Sequence, residues 1–78
     1  MTVAGVIADI YRQVGAPDWA ATNRDALADL LRDLSWLPPG PVAIRLSPAD
    51  RALLADVLDV VERETADTSR PVRVADPA

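Results

Sequence analysis

The chain has 78 residues, no cysteine, and a formal net charge of −4 from twelve acidic and eight basic residues. Half of its residues are hydrophobic, which is too apolar for a disordered chain. A chain of this length buries only about 60 to 65% of its unfolded surface. We therefore expect one small domain over residues 1–78, held by a single modest core without disulfides.

The composition also excludes several functions. Without histidine or cysteine, the chain lacks the usual ligands of zinc and iron–sulfur clusters and the usual bases of nucleophilic catalysis. We expect no metal, no cofactor and no enzymatic activity. The net negative charge would repel the negative phosphate backbone of DNA or RNA, so a nucleic-acid partner is not expected. A basic protein is the partner that such a surface attracts.

No membrane association is expected from the sequence. It has no run of about 18 apolar residues, and its first residues lack the basic region of a signal peptide. We therefore expect a cytoplasmic protein.

Two amphipathic helices are predicted in the first half of the chain. The first covers Thr2 to Val14, because apolar residues recur every three or four positions, and Gly15 ends it. The second covers about Arg24 to Leu34, with Thr22 or Asn23 as its N-cap. At 100° per residue, its leucines share one stripe, and the opposite side carries three aspartates: Asp25, Asp29 and Asp33.

The second half of the chain predicts a strand, a helix and a strand. Three prolines and a glycine make residues 35–41 a loop. Alternating residues from Pro41 to Leu46 predict a strand, and Ser47 caps a helix to about Glu64. Residues Pro71 to Ala75 alternate again. A strand, helix and strand within about 35 residues form a βαβ unit with parallel strands.

Residues 16–36 resemble the barstar family of ribonuclease inhibitors. The resemblance rests on a loop with Pro17 and Trp19, followed by Asn23, Asp25-Ala26-Leu27, Asp29 and Leu31. It implies a small two-layer α/β domain with a three-stranded parallel sheet packed against helices. It also implies one-to-one binding and blocking of a microbial guanyl-specific ribonuclease, without catalytic activity of its own.

The resemblance further implies which residues bind the partner. The loop and second helix would plug the active site of a basic secreted ribonuclease, with Asp29 in the place of a substrate phosphate. Asp25 matches a second interface aspartate, Trp19 an aromatic that packs on the nuclease, and Asn23 a loop position. Carboxylates on an outward face can pair with the cations of an RNA-cleaving site. Ala28 and Asp33 complete the expected surface.

Three departures from the family pattern change these expectations. Ala21 replaces a usual glycine, so a positive φ there would carry strain. Arg24 and Ala28 stand where large aromatic residues are common, which trims the contact surface and adds a positive charge. They also support an alternative, an interaction module that binds another basic protein or toxin.

The third departure concerns the sheet. The first helix starts at residue 2 or 3, which leaves no room for the family's first strand. The sheet therefore has two strands, or the native chain begins upstream of Met1. A bare sheet edge could pair with a second copy in a homodimer.

The same residues can also be interpreted without a binding partner, as ordinary surface or core residues. The three aspartates also fit a solvated helix face, which leaves Asp33 undecided between that role and the interface. Trp19 could cover the core or anchor a partner, and Trp36 is expected to pack on the core. An acidic contact near the end of the third helix could be Glu62 or Glu64.

Overall fold

The structure, a computed structural model, describes residues 2–76. These residues form four helices and two strands: α1 (Val3–Val14), α2 (Arg24–Asp33), β1 (Val42–Arg45), α3 (Pro48–Leu53), α4 (Ala55–Thr65) and β2 (Val72–Ala75). The predicted α/β class is confirmed. Within the described residues, no helix combines the length and apolar character needed to cross a membrane.

Both predicted ends of α1 and the predicted start of α2 are observed. Thr2 caps α1 by accepting a hydrogen bond from the Gly5 amide, and Gly15 follows α1 in the left-handed conformation at φ 68°. The Asn23 side chain caps α2, because its Oδ1 accepts a hydrogen bond from the Ala26 amide at 2.8 Å. Each cap satisfies an amide that the helix itself leaves without a partner.

The two strands form a parallel sheet with helices on one face. In register, Val42 pairs with Val72 and Ile44 with Val74. α1 packs against β1, while α4 packs against both β2 and α2. The opposite face of the sheet is exposed and carries alternating small and basic residues: Ala43, Arg45, Arg73 and Ala75. The fold thus has two layers, as expected.

The core lies between the sheet and the helices. It is built from buried aliphatic side chains and one aromatic ring: Val6, Ile7, Ile10, Tyr11, Val14, Leu27, Leu31, Leu34, Val42, Ile44, Leu46, Leu54, Leu58, Val61 and Val72. Every element except α3 contributes to it. Because α2 contributes Leu27 and Leu31, its opposite side must face solvent.

The outer edges of the sheet are less bare than the sequence predicts. The Gln13 side chain, from α1, accepts a hydrogen bond from the Arg45 amide at 2.8 Å and donates one to the Arg45 carbonyl at 2.9 Å. At β2, Thr65 Oγ1 accepts a hydrogen bond from the Val72 amide at 2.9 Å. Helix side chains therefore occupy part of each edge, where another strand would otherwise pair.

The single helix predicted from Ser47 to Glu64 is wrong. The chain bends at Leu54 (φ −126°, ψ 18°), which separates α3 from α4. The bend buries Leu54 completely and leaves Leu53 38% exposed. The Leu53 carbonyl at the bend accepts a hydrogen bond from the Arg24 guanidinium at 3.1 Å. Burial of Leu54 and this hydrogen bond offset the interrupted helical ladder.

Helix α2 ends one residue earlier than predicted. Leu34 follows it in the left-handed region at φ 44°, which glycine favours and which costs a larger residue about 1 kcal/mol or more. The Leu34 side chain is completely buried, so its packing offsets the strain. The turn that Leu34 makes directs the chain toward Trp36.

We expect Gln13→Ala to lower the free energy of unfolding by about 1 to 2 kcal/mol, because both hydrogen bonds to Arg45 are lost. The exposed edge of β1 should also increase self-association at high concentration. Chemical denaturation and light scattering measure the two effects. Gln13→Glu places a carboxylate against the Arg45 carbonyl and the Asp9 carboxylate, so it should lose at least as much stability as the alanine variant. An alanine variant as stable and as monodisperse as the original protein would contradict this role.

Candidate functional site

The loop of residues 16–23 is held against the body of the protein by Tyr11. The Tyr11 hydroxyl donates a hydrogen bond to the Ala21 carbonyl at 2.7 Å, and burial raises the pKa of this phenol. Within the loop, the Ala20 amide donates to the Pro17 carbonyl at 3.1 Å. A buried side chain of α1 therefore fixes the position of an exposed loop.

Helix α2 continues from this loop and presents its acidic side to solvent. Leu27 and Leu31 are buried on one side, whereas Asp25, Asp29 and Asp33 are exposed on the other. The Asp29 side chain is 84% exposed. The helix direction follows from burial of its leucines, so the carboxylates need no further contact to face outward.

A groove of about 400 Å³ lies between the loop and α2. The indoles of Trp19 and Trp36 contribute to its walls; Trp19 is 85% exposed and Trp36 is 40% exposed. Small apolar side chains line most of the remainder, and two carboxylates complete it. The full lining is Pro17, Trp19, Ala20, Ala21, Ala26, Asp29, Leu30, Asp33 and Trp36.

The groove brings together three of the six residues predicted to bind a partner: Trp19, Asp29 and Asp33. The other three lie outside its lining. Asn23 is engaged as the N-cap of α2, and Ala28 is half-buried against the core. Asp25 is exposed in the first turn of α2. Their roles in binding stay predictions.

The charge of Asp29 is shared with a neighbouring arginine. Arg32 lies 3.5 Å from Asp29 and 2.9 Å from Glu64, and the hydrogen bond and charge of Glu64 are the main causes that raise the pKa of Arg32. Arg32 thus connects α2 to α4. These groups are exposed, so their attraction is weak and a partner cation can compete with it.

The two glutamates at the end of the third predicted helix are both in ion pairs. Glu64 contacts Arg32, and Glu62 contacts Arg51 at 2.8 Å. Arg51 also lies 3.2 Å from Asp59, so it connects α3 to α4. These glutamates therefore have contacts within the protein that a partner would have to replace.

Comparison with known protein families now identifies the chain. The family model described as Barstar (barnase inhibitor) matches residues 1–76. The chain belongs to the Barstar family. No curated protein and no solved structure matches it at a significant level. The resemblance predicted from the loop and second helix is confirmed, and the match extends it over both halves of the fold.

Two departures from the Barstar pattern are explained by the structure. Among residues 2–76, positive φ angles occur at Gly15, Leu34 and Gly40, so Ala21 carries no left-handed strain. Arg24 contacts the Leu53 carbonyl and lies 3.8 Å from Asp56. The basic group expected beside the α2 carboxylates therefore pairs with the corner between α3 and α4.

Six of the nine residues that line the groove are not among the predicted binding residues, and Trp36 and Leu30 are the largest of the six. Trp36 is predicted to pack on the core, yet it lines the groove together with Trp19 while its Nε1 donates to the Val14 carbonyl at 2.9 Å. The leucine stripe predicts a buried Leu30, whereas the structure shows it half-buried and lining the groove. The position of Leu30 at the margin of the leucine stripe was the available signal.

We expect Tyr11→Phe to loosen the loop while keeping the fold. The variant loses the hydrogen bond to Ala21 but retains the aromatic ring, so the free energy of unfolding should fall by about 1 kcal/mol. Amide hydrogen exchange should become faster in residues 16–23 and stay unchanged in α4. Unchanged exchange in the loop would contradict a positioning role for Tyr11.

The raised pKa of Tyr11 gives this prediction a pH dependence. Burial favours the neutral phenol, so its contribution to stability is complete below the ordinary value of 10.0 and is lost as pH rises through the higher folded pKa. Between pH 7 and 11, the original protein should lose more stability than the Tyr11→Phe variant. Equal losses would show that the alkaline transition belongs to other groups.

Proposed function

We propose that this protein inhibits a microbial guanyl-specific extracellular ribonuclease by covering its active site. The observation that carries the proposal is the Barstar match over residues 1–76, combined with an exposed Asp29 on the predicted binding helix. A ribonuclease of this class must hold RNA phosphates with cationic groups, and an exposed carboxylate can take the place of such a phosphate. Binding is one to one, and the inhibitor itself catalyses no reaction.

The proposed contact surface is the loop of residues 16–23 with the exposed side of α2. Asp29 enters the nuclease active site, while Trp19 covers its rim. Asp25 and Asp33, each four residues from Asp29, extend the negative surface along the helix. The net charge of −4 accelerates encounter with a basic enzyme, and salt reduces this effect.

The cellular role follows from this activity as part of the proposal. An inhibitor of a secreted ribonuclease protects the cell that makes the enzyme, so it acts in the cytoplasm. The homodimer expected through a free sheet edge stays a prediction, and Gln13 and Thr65 restrict where such pairing could occur.

A second function, binding of another basic protein or toxin, is favoured by specific features of the surface. Ala28 is small and packs against the core, and Arg32 lies within 3.5 Å of Asp29. Both features reduce the surface and charge offered to a ribonuclease. A pull-down that recovers a basic protein without nuclease activity would support this alternative.

Titration of a small guanyl-specific ribonuclease, cleaving RNA at low salt, tests the main proposal. The protein should inhibit stoichiometrically, and Asp29→Ala should raise the inhibition constant at least about 30-fold, or about 2 kcal/mol, because a nuclease cation loses its desolvated partner. Asp33→Ala should have a smaller effect. Higher salt should slow association.

The matched control is Asp67→Ala, which removes the same charge from an exposed loop far along the chain from α2. Its inhibition constant should change by less than about threefold, because Asp67 is an exposed charge outside the proposed contact surface. No inhibition by the original protein would reject the ribonuclease as target. Equal losses for the Asp29 and Asp67 variants would reject Asp29 as the central contact.

A further inference from the structure

The groove between the loop of residues 16–23 and α2 has features that an acidic helix surface alone does not explain. Trp19 and Trp36 are the two tryptophans of the sequence, and both are partly exposed in this groove. Exposed aromatic side chains that line one concave surface are typical of binding sites. The volume, about 400 Å³, is enough for a side chain from another molecule.

One wall of the groove is held in place before any partner binds. The Trp36 Nε1 donates a hydrogen bond to the Val14 carbonyl at 2.9 Å, and the Leu37 amide beside it donates to the Leu34 carbonyl at 3.0 Å. Pro38 and Pro39 restrict the following backbone. An indole that is already fixed loses little side-chain entropy on binding.

The carboxylates of the groove differ in their contacts. Asp29 lies near Arg32, whereas Asp33 accepts a hydrogen bond from Ser35 Oγ at 3.0 Å. Across residues 2–76, no arginine lies within ion-pair distance of Asp33. Asp33 is therefore the groove carboxylate whose charge no arginine of the described residues shares.

The apolar walls and the unpaired carboxylate of Asp33 together indicate which kind of side chain the groove can bind. An anion would be repelled by Asp33, and an uncharged apolar group would desolvate this carboxylate without compensation. A lysine supplies charge at a single point. An arginine supplies a planar cation that stacks on an indole face and hydrogen-bonds a carboxylate with two N–H groups.

We propose that the groove binds one arginine side chain of the partner protein, packed against the indoles of Trp19 and Trp36 and paired with Asp33. This inference rests on the proposed function in taking the occupant to be part of a protein. It adds a second anchor beside Asp29: Asp29 replaces a phosphate in the nuclease active site, and the groove holds an arginine at its border.

The test uses N-acetyl-arginine amide as a probe, with N-acetyl-citrulline amide as the uncharged analogue of the same shape. Both are titrated into the full chain at low salt, and the indole N–H resonances of Trp19 and Trp36 are followed by NMR. The arginine probe should shift both resonances to saturation in the millimolar range. The citrulline probe should bind at least tenfold more weakly, and N-acetyl-lysine amide should bind more weakly than arginine.

Three variants locate the binding. Asp33→Asn, which keeps the shape of the side chain, and Trp19→Ala, at a largely exposed position, should each weaken binding of the arginine probe at least fivefold. Asp67→Asn should leave it unchanged. Equal binding of citrulline or lysine, or unchanged binding by Asp33→Asn, would overturn the proposal. The probe titration contains no ribonuclease, so its result does not depend on the proposed target. If the protein binds the arginine probe saturably but does not inhibit the ribonuclease in the separate titration, the ribonuclease target is rejected and the arginine site is retained.

Discussion

Burial of one side of α2 is the constraint on which the proposed binding surface depends. Leu27 and Leu31 are in the core, so the helix cannot rotate without exposing them to water. The same packing places Asp29 and Asp33 on the outside and brings Leu30 to the groove. The hydrophobic effect therefore orients the carboxylates, and the protein does not need buried polar contacts to hold them there.

A domain of this size also depends on side chains that complete its backbone hydrogen bonds. Gln13 bonds both backbone groups of Arg45, and Thr65 connects α4 to Val72. The Arg24 guanidinium reaches the Leu53 carbonyl at the bend between α3 and α4. The Gln13 and Arg24 contacts join elements distant in sequence, which a two-stranded sheet requires because it is marginal by itself. The Gln13 and Thr65 contacts also reduce the free edge available to another strand.

Local sequence patterns predict most of the fold, and the misses occur where tertiary packing decides. Helix α1, the Asn23 cap and the parallel strands follow from periodicity and cap chemistry. The bend at Leu54 cannot be predicted in this way. Leu53 and Leu54 are both apolar, so the local sequence pattern is equally compatible with one unbroken helix. The place of Trp36 in the groove depends on the left-handed turn at Leu34, a conformation that leucine rarely adopts.

The candidate site, like the fold, has residues that the sequence predicts and residues that only the structure reveals. Family resemblance and helix periodicity select Trp19 and Asp29, but only the three-dimensional structure brings Trp36 beside them. An indole left partly in water contributes less to a small core than a buried one, and Trp19 is 85% exposed. The chain therefore gives up stability at the surface where the unpaired carboxylate of Asp33 also lies. The exposed Trp19 and the Trp36 indole that Val14 fixes in advance therefore support the proposal that this surface binds a partner.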